Sequence, residues 1–417
     1  ELSNWLDSKI NGNSGGNTTG GNTTGENDNP STTTKISTLV GTVVDKNTKA
    51  EDAYGNKITI PKGFKVVAHG TTADSATYTY SGDNIPAVQD GIVIENGTDG
   101  NQFVWVPVGT IKNKDNTTNT ITLGRYSNFT KQNGNYVPAQ TAENYTQETV
   151  ITIGSTQNQN YTIARLGLED EKESTIKINK AIQLEGMFND VKVIKTAPDG
   201  PPEATLIVDY KELTEFRSGN TATDSTAQNA TARDLETFIS TTLANGGYYI
   251  ARFEASGTAS KITSKYSQTV LTSITQPNAA KLAREMYGEI KENNKLVYAS
   301  DLVNSYAWDT AIVFIQTYSG KTDYASHNES KTTKAFTATG KNNDKYCNIW
   351  DMSGNAIEWT TEYSTYSNFS NFAPCVTRGG HCYADGSGAY GYTSLRISSN
   401  TTVSNSNGGL RPLLYVK

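Results

Sequence analysis

Three cysteines, Cys347, Cys375 and Cys382, and three histidines, His69, His327 and His381, are the groups in this 417-residue chain most suited to metal binding or thiol chemistry. They make no CxxC pair and no Cys/His spacing of a ligand set, so a structural zinc site is not expected. His381 and Cys382 are adjacent, and a lowered pKa would make the thiol nucleophilic. Neighbours on a strand point to opposite faces, however, which argues against a dyad. Cys347 and Cys375 flank "NIWDMSGNAIEW" and "VTRGG", and in an oxidising compartment a Cys347–Cys375 disulfide would staple the two, with Cys382 left over. No G-x-S-x-G, HExxH or phosphate-loop motif occurs, so the expectation is a protein without catalysis.

A different chemistry is suggested from His381 to Leu410, where no Lys, Glu, Gln, Met or Trp occurs. At their frequency elsewhere, these five types should supply about five residues in a window of about thirty. The stretch lies between "RGG" and "GGLRPLLYV" and is filled with Ser, Asn, Gly, Thr and Tyr. Such residues give a binding surface contact area and hydrogen bonds at low entropic cost. Tyr383, Tyr390 and Tyr392 would be aromatic anchors, and His381, Cys382, Asp385, Asn400, Asn405 and Asn407 polar contacts. Loop composition is the rival account, since Ser, Thr, Asn and Gly fill turns in any case.

The elements that would position these residues read as α+β. "KITIPKGFKVVA", "DGIVIEN", "NQFVWVPVG" and "GGYYIARFEAS" alternate and are rich in β-branched and aromatic residues, as is "ISTLVGTVV", so all five predict strands. "ATARDLETFISTTLAN" places Leu235, Phe238, Ile239 and Leu243 at helical spacing and stops at Gly246. "YASDLVNSYAWDTAIVFIQTYSG" does the same with Leu302, Tyr306, Trp308, Ile312 and Ile315, so two main helices are expected against irregular sheets. A βαβ alternation is missing, which argues against a doubly wound sheet. Residues 1–34 read as a short helix followed by a Gly/Asn/Thr-rich linker or stalk, and residues 35–417 as the folded body. Residues 111–230 are expected to form a β-rich insertion within that body. The net charge of -6 and pI near 5.3, without a basic stripe, exclude nucleic acid as the expected partner. The start at Glu1 suggests a processed chain from which a signal or anchor segment has been removed.

Five phrases, "GGYYIARFEAS", "SYAWDTAIVFIQ", "CNIWDMSGNAIEWTTEYS", "VTRGG" and "GGLRPLLYV", follow one another in an order that resembles the formylglycine-generating-enzyme-like (FGE-sulfatase) domain, a variant of the C-type-lectin fold. "NQFVWVPVG" is similar to that family's opening strand. The resemblance covers 102–108 and then 245 to the C-terminus, a little under half of the chain. It extends in wording to clostridial surface proteins that carry the domain behind a pilin-like anchor. The resemblance implies a calcium site using the Glu358 carboxylate and nearby carbonyls. The residues themselves suggest turn-capping by Asp351 and Glu358, and buried pairing of Arg378 and Arg411 with carboxylates. Formylglycine-generating members use two nearby cysteines after the corresponding strand to bind copper. Here only Cys382 follows "RGG", which puts that activity in doubt.

C-type-lectin-fold proteins include targets of diversity-generating retroelements, whose adenine mutagenesis cannot reach codons for Lys, Glu, Gln, Met or Trp from AAC. The expectation is therefore an extracellular, cell-surface binding protein or adhesin. Residues 378–416 would hold a variable surface for a protein or glycan on another cell, phage or host. The alternative is a subunit of a pilus or fibre that self-assembles through the same body.

Overall fold

Strand Gln102–Pro107 buries all six of its side chains, as a continuous apolar run flanked by packing on both faces should. It lies inside a seven-stranded antiparallel sheet whose order is Glu289–Glu292, Lys295–Leu302, Pro412–Val416, Gly247–Ala251, Gln102–Pro107, Val93–Asn96 and Phe64–Val66. The computed structural model describes residues 33–67, 86–124, 129–132, 135–138, 193–195, 204–206, 210–212, 235–327, 335–364, 375–383, 392–400 and 403–417. Residues 1–32, which contain nearly all of the expected helix and linker, lie outside the described residues.

A second sheet joins Tyr210–Glu212, Ile357–Ser364, Cys375–Arg378 and Arg396–Ser399 in antiparallel order, with Gly408–Leu410 running parallel to Ile357–Trp359. The chain passes from this small sheet into the large one at a single residue, Arg411, between Leu410 and Pro412. "GGLRPLLYV" is thus two strands in two sheets. Tyr210–Glu212, from the expected insertion, supplies an edge of the small sheet.

Among the described residues there are three α-helices: α1 Leu235–Asn245, α2 Gln276–Tyr287 and α3 Ser305–Tyr318. The α1 and α3 segments match the expected helices, but Leu302 belongs to a strand and α3 begins only after the Asn304 side chain accepts from the Ala307 amide. The sequence reading overlooked α2. Thr275 caps it, accepting from Asn278, and Pro277 occupies its first turn, where a missing N–H costs nothing. Its buried face is built on Ala279, Ala280, Ala283 and Leu282, too small a set to look amphipathic by eye.

A further expectation is corrected. "ISTLVGTVV" is not a strand, because Ile36–Leu39 forms a 3-10 turn that buries Ile36. Gly109–Lys112 and Thr118–Ile121 form a hairpin that buries Ile111 and Ile121 in the main core, and the Gly124 amide donates to Thr310 of α3 at 3.2 Å. Most of the expected insertion, including residues 139–192, lies outside the described residues.

Candidate functional site

Strands Cys375–Arg378 and Arg396–Ser399 pair with Cys375 opposite Ser399 and Arg378 opposite Arg396. This register fixes where the expected contact residues lie. His381–Tyr383 and Tyr392 follow and precede the Arg378/Arg396 rung, and Asn400 follows the Cys375/Ser399 rung, about 10 Å away at 3.3 Å per residue. Asn405 and Asn407 lead into Gly408–Leu410, on the opposite edge of Ile357–Ser364 at the level where Glu358 pairs with Arg378. The structure therefore divides the set among the two ends of one ribbon and the far edge of the strand beside it. Asp385 and Tyr390 lie outside the described residues.

The rung itself is held by four charges without solvent. Arg378 donates to Asp309 Oδ1 at 2.5 Å and Glu362 Oε2 at 3.3 Å; Arg396 donates to Asp309 Oδ2 and Glu362 Oε1, both at 2.7 Å. All four side chains are buried, and two guanidinium forks facing two carboxylates make a neutral ring. Asp309 comes from α3 and Glu362 from Ile357–Ser364, so the ring ties the ribbon to helix and sheet together. Arg378 also donates to the Leu395 carbonyl at 2.9 Å. The expected pairing of Arg378 with carboxylates is present; Asp309 and Glu362 as its partners, and Arg396 as the second cation on them, were not foreseen, since they lie far apart in sequence.

Beyond the rung, Gly379 and Gly380 adopt left-handed φ values of 90° and 71° and turn the chain toward "NIWDMSGNAIEW". Asn355 receives it. Its carbonyl accepts from the Cys382 amide at 2.9 Å, and its Oδ1 accepts from the Thr337 amide at 2.9 Å, so one residue fastens two separate segments. Cys382 is consequently buried, which corrects its expected place among the polar contacts of the binding surface, whereas Tyr383 is 42% exposed. The His381 Nδ1 accepts from the Tyr383 amide at 3.2 Å, and burial lowers the His381 pKa. The Tyr383 ring meets Phe336 edge-on at 5.6 Å and lies 6.3 Å from the His381 ring. On the returning side, the Thr393 and Ser394 amides donate to the carbonyls of His327 and Ala325, both at 3.0 Å, and Trp308 Nε1 donates to the Thr393 carbonyl. Tyr392, immediately before this clamp, is half-buried. Both ends of the segment between Tyr383 and Tyr392 are thus fixed to the body.

The asparagines serve the turns between Ser399 and Gly408. Asn400 Oδ1 accepts from the Val403 amide, and Asn405 Oδ1 from the Asn407 amide. The Asn405 carbonyl accepts from Ser273 and Gly408, and the Asn407 carbonyl from Ile357. These bonds assign Asn405 and Asn407 to structure, with their side chains or backbones committed inside the turn.

Glu358, expected from the resemblance to hold calcium, is buried with both carboxylate oxygens against Arg411, at 2.6–3.1 Å. A guanidinium stands where a cation would have to bind, and its charge replaces the ion's. Arg411 also donates to the carbonyls of Ala251 and Trp350. Asp351 accepts from the Gly340 amide and the Asn342 side chain, the turn-fastening role expected for it. Nearby Glu254 accepts from Asn355 Nδ2 and the Ala356 amide, and burial, with the charges of Asp351 and Glu358, pushes its pKa well up. No cluster of three or more metal-ligating side chains occurs among the described residues.

The expected Cys347–Cys375 disulfide is not formed. The Cys375 thiol faces Gln276 Oε1 at 3.7 Å, and Cys347 sits in a left-handed turn whose carbonyl lies against Gly91. Burial pushes both thiols far up the pH scale, so neither is a ready thiolate.

No family model, curated protein or solved structure matches this chain.

Proposed function

We propose that this chain is a non-catalytic, extracellular binding protein of the C-type-lectin-like, formylglycine-generating-enzyme-like fold, with its contact surface at the Arg378/Arg396 end of the ribbon. One observation carries the reading. The segment that leaves at Tyr383 and returns at Tyr392 is anchored on both sides, by Asn355 and by the carbonyls of His327 and Ala325, over a buried charge ring. Substitutions beyond such anchors can change a surface without loosening the fold that carries it. The composition of 381–410 supports the same reading, because it lacks the five residue types that adenine mutagenesis of AAC codons cannot produce. The resemblance gains support from the way its phrases meet. "GGYYIA" pairs with "QFVWVP" and "PLLYV" in one sheet, and "CVTR" pairs with "IEWTTEYS" in the other.

The ligand is a protein or glycan on another cell, a phage or a host, and the surface is tuned by substitution at His381, Tyr383 and Tyr392. Asn405 and Asn407 leave the contact set, since their bonds close the turn that leads into Gly408. Sequencing the coding DNA for residues 378–412 in many sibling cells tests this. A nearby near-identical copy, with differences confined to its adenines and variation at positions 381, 383 and 392, is the expected result. An invariant, single-copy segment would overturn diversification and leave a binding protein of fixed specificity or a fibre subunit.

A further inference from the structure

Two histidines lie among the described residues, His327 and His381, and they stand at the two anchors of the segment between Tyr383 and Tyr392. They hold it differently. His327 anchors Thr393 through its backbone carbonyl, so that bond does not depend on the state of its ring. His381 acts through the ring itself, where Nδ1 accepts from the Tyr383 amide at 3.2 Å. A backbone amide can only donate. The bond therefore exists only while Nδ1 keeps its lone pair and the ring's proton sits on Nε2.

A second proton must add to Nδ1, because Nε2 already carries one. The imidazolium then sets an N–H against the N–H of Tyr383, and attraction becomes repulsion. One residue earlier the chain stays fixed, since the Cys382 amide donates to the Asn355 carbonyl and neither group titrates. The effect is confined to Tyr383, the exposed residue beyond that anchor. Among the described residues, the segments packed here bring no charge to the His381 ring. Asn355 and Phe336 do not titrate, and the titratable groups on its own turn are buried Cys382 and Tyr383, whose ring is 6.3 Å away. Burial by itself holds the His381 pKa below the ordinary 6.5, so the latched, neutral form prevails at neutral pH. Its contribution is present above about pH 6.5 and is lost as pH falls through the lower folded value.

We infer that the His381 imidazole is an acid-released latch on Tyr383: neutral, it fixes the Tyr383 backbone at the contact surface; protonated, it lets go, and a ligand held through Tyr383 is released. Such a device varies with the surface that carries it. Asn or Ser at position 381 would accept the amide two residues on without titrating, and an apolar residue would not make the bond at all. Histidine is the side chain that makes this hold depend on acidity. Its use in ligand release rests on the binding reading given above, whereas the latch itself does not.

The test labels the tyrosines of the full chain isotopically and follows the Tyr383 amide by NMR from about pH 8 to about pH 5, with Tyr383→Phe identifying its signal by loss. His327 titrates lower, at about 4, and stays outside this range. The expected result is one transition with a midpoint below 6.5, carrying the amide to the position it holds at every pH in His381→Ala. His381→Asn should show no transition, because its side-chain oxygen accepts the same amide throughout, and it serves where the alanine variant unfolds. A Tyr383 amide that does not move, or that moves equally in His381→Asn, overturns the latch. No ligand enters the measurement, so that failure leaves the binding reading standing. An invariant coding segment in sibling cells, by contrast, would overturn diversification and leave this titration unchanged.

Discussion

Arg411 grips Glu358 through Nε and Nη2 at the point where the chain leaves one sheet for the other. The same guanidinium donates to Ala251, at the end of a large-sheet strand, and to Trp350. One side chain therefore joins both sheets to the turn that carries Asn355. Around it stand three buried carboxylates, Glu254, Asp351 and Glu358. Arg411 is buried and its pKa is raised, burial being outweighed by the charges of Glu358, Glu254 and Asp351.

Replacing Arg411 by alanine should accordingly destabilise the fold by about 3–5 kcal/mol, the usual cost of stripping a buried charge of its partner. Arg411→Lys keeps the charge but cannot reach Glu358 and two carbonyls together, and it should fall between the alanine variant and the native chain. Urea midpoints measure both. A midpoint for Arg411→Ala within error of the native value would mean that Glu358 is not dependent on this pair.

Glu254 sets a pH dependence whose direction follows from its environment. Its folded pKa lies well above the ordinary 4.5, chiefly through burial and then through Asp351 and Glu358. A carboxyl that holds its proton more tightly when folded stabilises the fold fully below about pH 4.5, and this contribution disappears as pH rises through the folded pKa. Stability should thus decline as pH rises above about 4.5 in the native chain. Glu254→Gln removes the titration, while its amide oxygen can still accept from Ala356. The variant's thermal midpoint should change less over this range, and two parallel profiles would rule out Glu254 as the source.

Much of this arrangement could be anticipated where local chemistry dictates it. The apolar run at Gln102–Pro107 and the glycine stop of α1 are local signals, and they matched the structure. Asp351, expected to serve a turn, takes a left-handed φ, as do Gly354 and Asn355 beside it. What could not be read were relations between distant residues. Asp309 and Arg396 are 87 positions apart, and neither has a sequence neighbour that points to the other. The backbone contact of Asn355 to Cys382 has no signature in side-chain pattern. Where the contact residues fall on the sheet depends on strand register, which a short, polar strand such as Arg396–Ser399 specifies only through its partners. The cysteine pairing failed for a related reason: proximity to the same two phrases says nothing about which face each thiol takes.

Gly379, the first glycine of "RGG", has a steric reason to be there. Its φ is 90°, and a Cβ would lie 2.6 Å from the Met352 carbonyl and 3.1 Å from the Trp308 ring. Gly379→Ala should cost on the order of 3 kcal/mol, combining the left-handed conformation with overpacking against backbone. Gly320, also left-handed at φ 75°, has open space where its Cβ would go, so Gly320→Ala should cost only the conformational part, about 1 kcal/mol. Calorimetric midpoints of the two variants separate strain from crowding, and equal losses would contradict the close approach at Gly379.

The four-charge ring makes the last prediction. Asp309→Asn removes one negative charge from a buried set that is neutral, leaving Arg378 and Arg396 opposite Glu362 alone. The excess positive charge has no water to solvate it, so a loss of about 3–5 kcal/mol is expected. Arg396→Met in the same chain removes that excess, and Met can lie along the space left by the guanidinium stem. The double variant should therefore be more stable than Asp309→Asn alone, although it has lost two polar partners. A coupling energy of about 1–3 kcal/mol in the double-mutant cycle would identify the ring as one electrostatic unit. Additive losses would show that Asp309 and Arg396 act separately, and the rung would then owe its rigidity to backbone pairing.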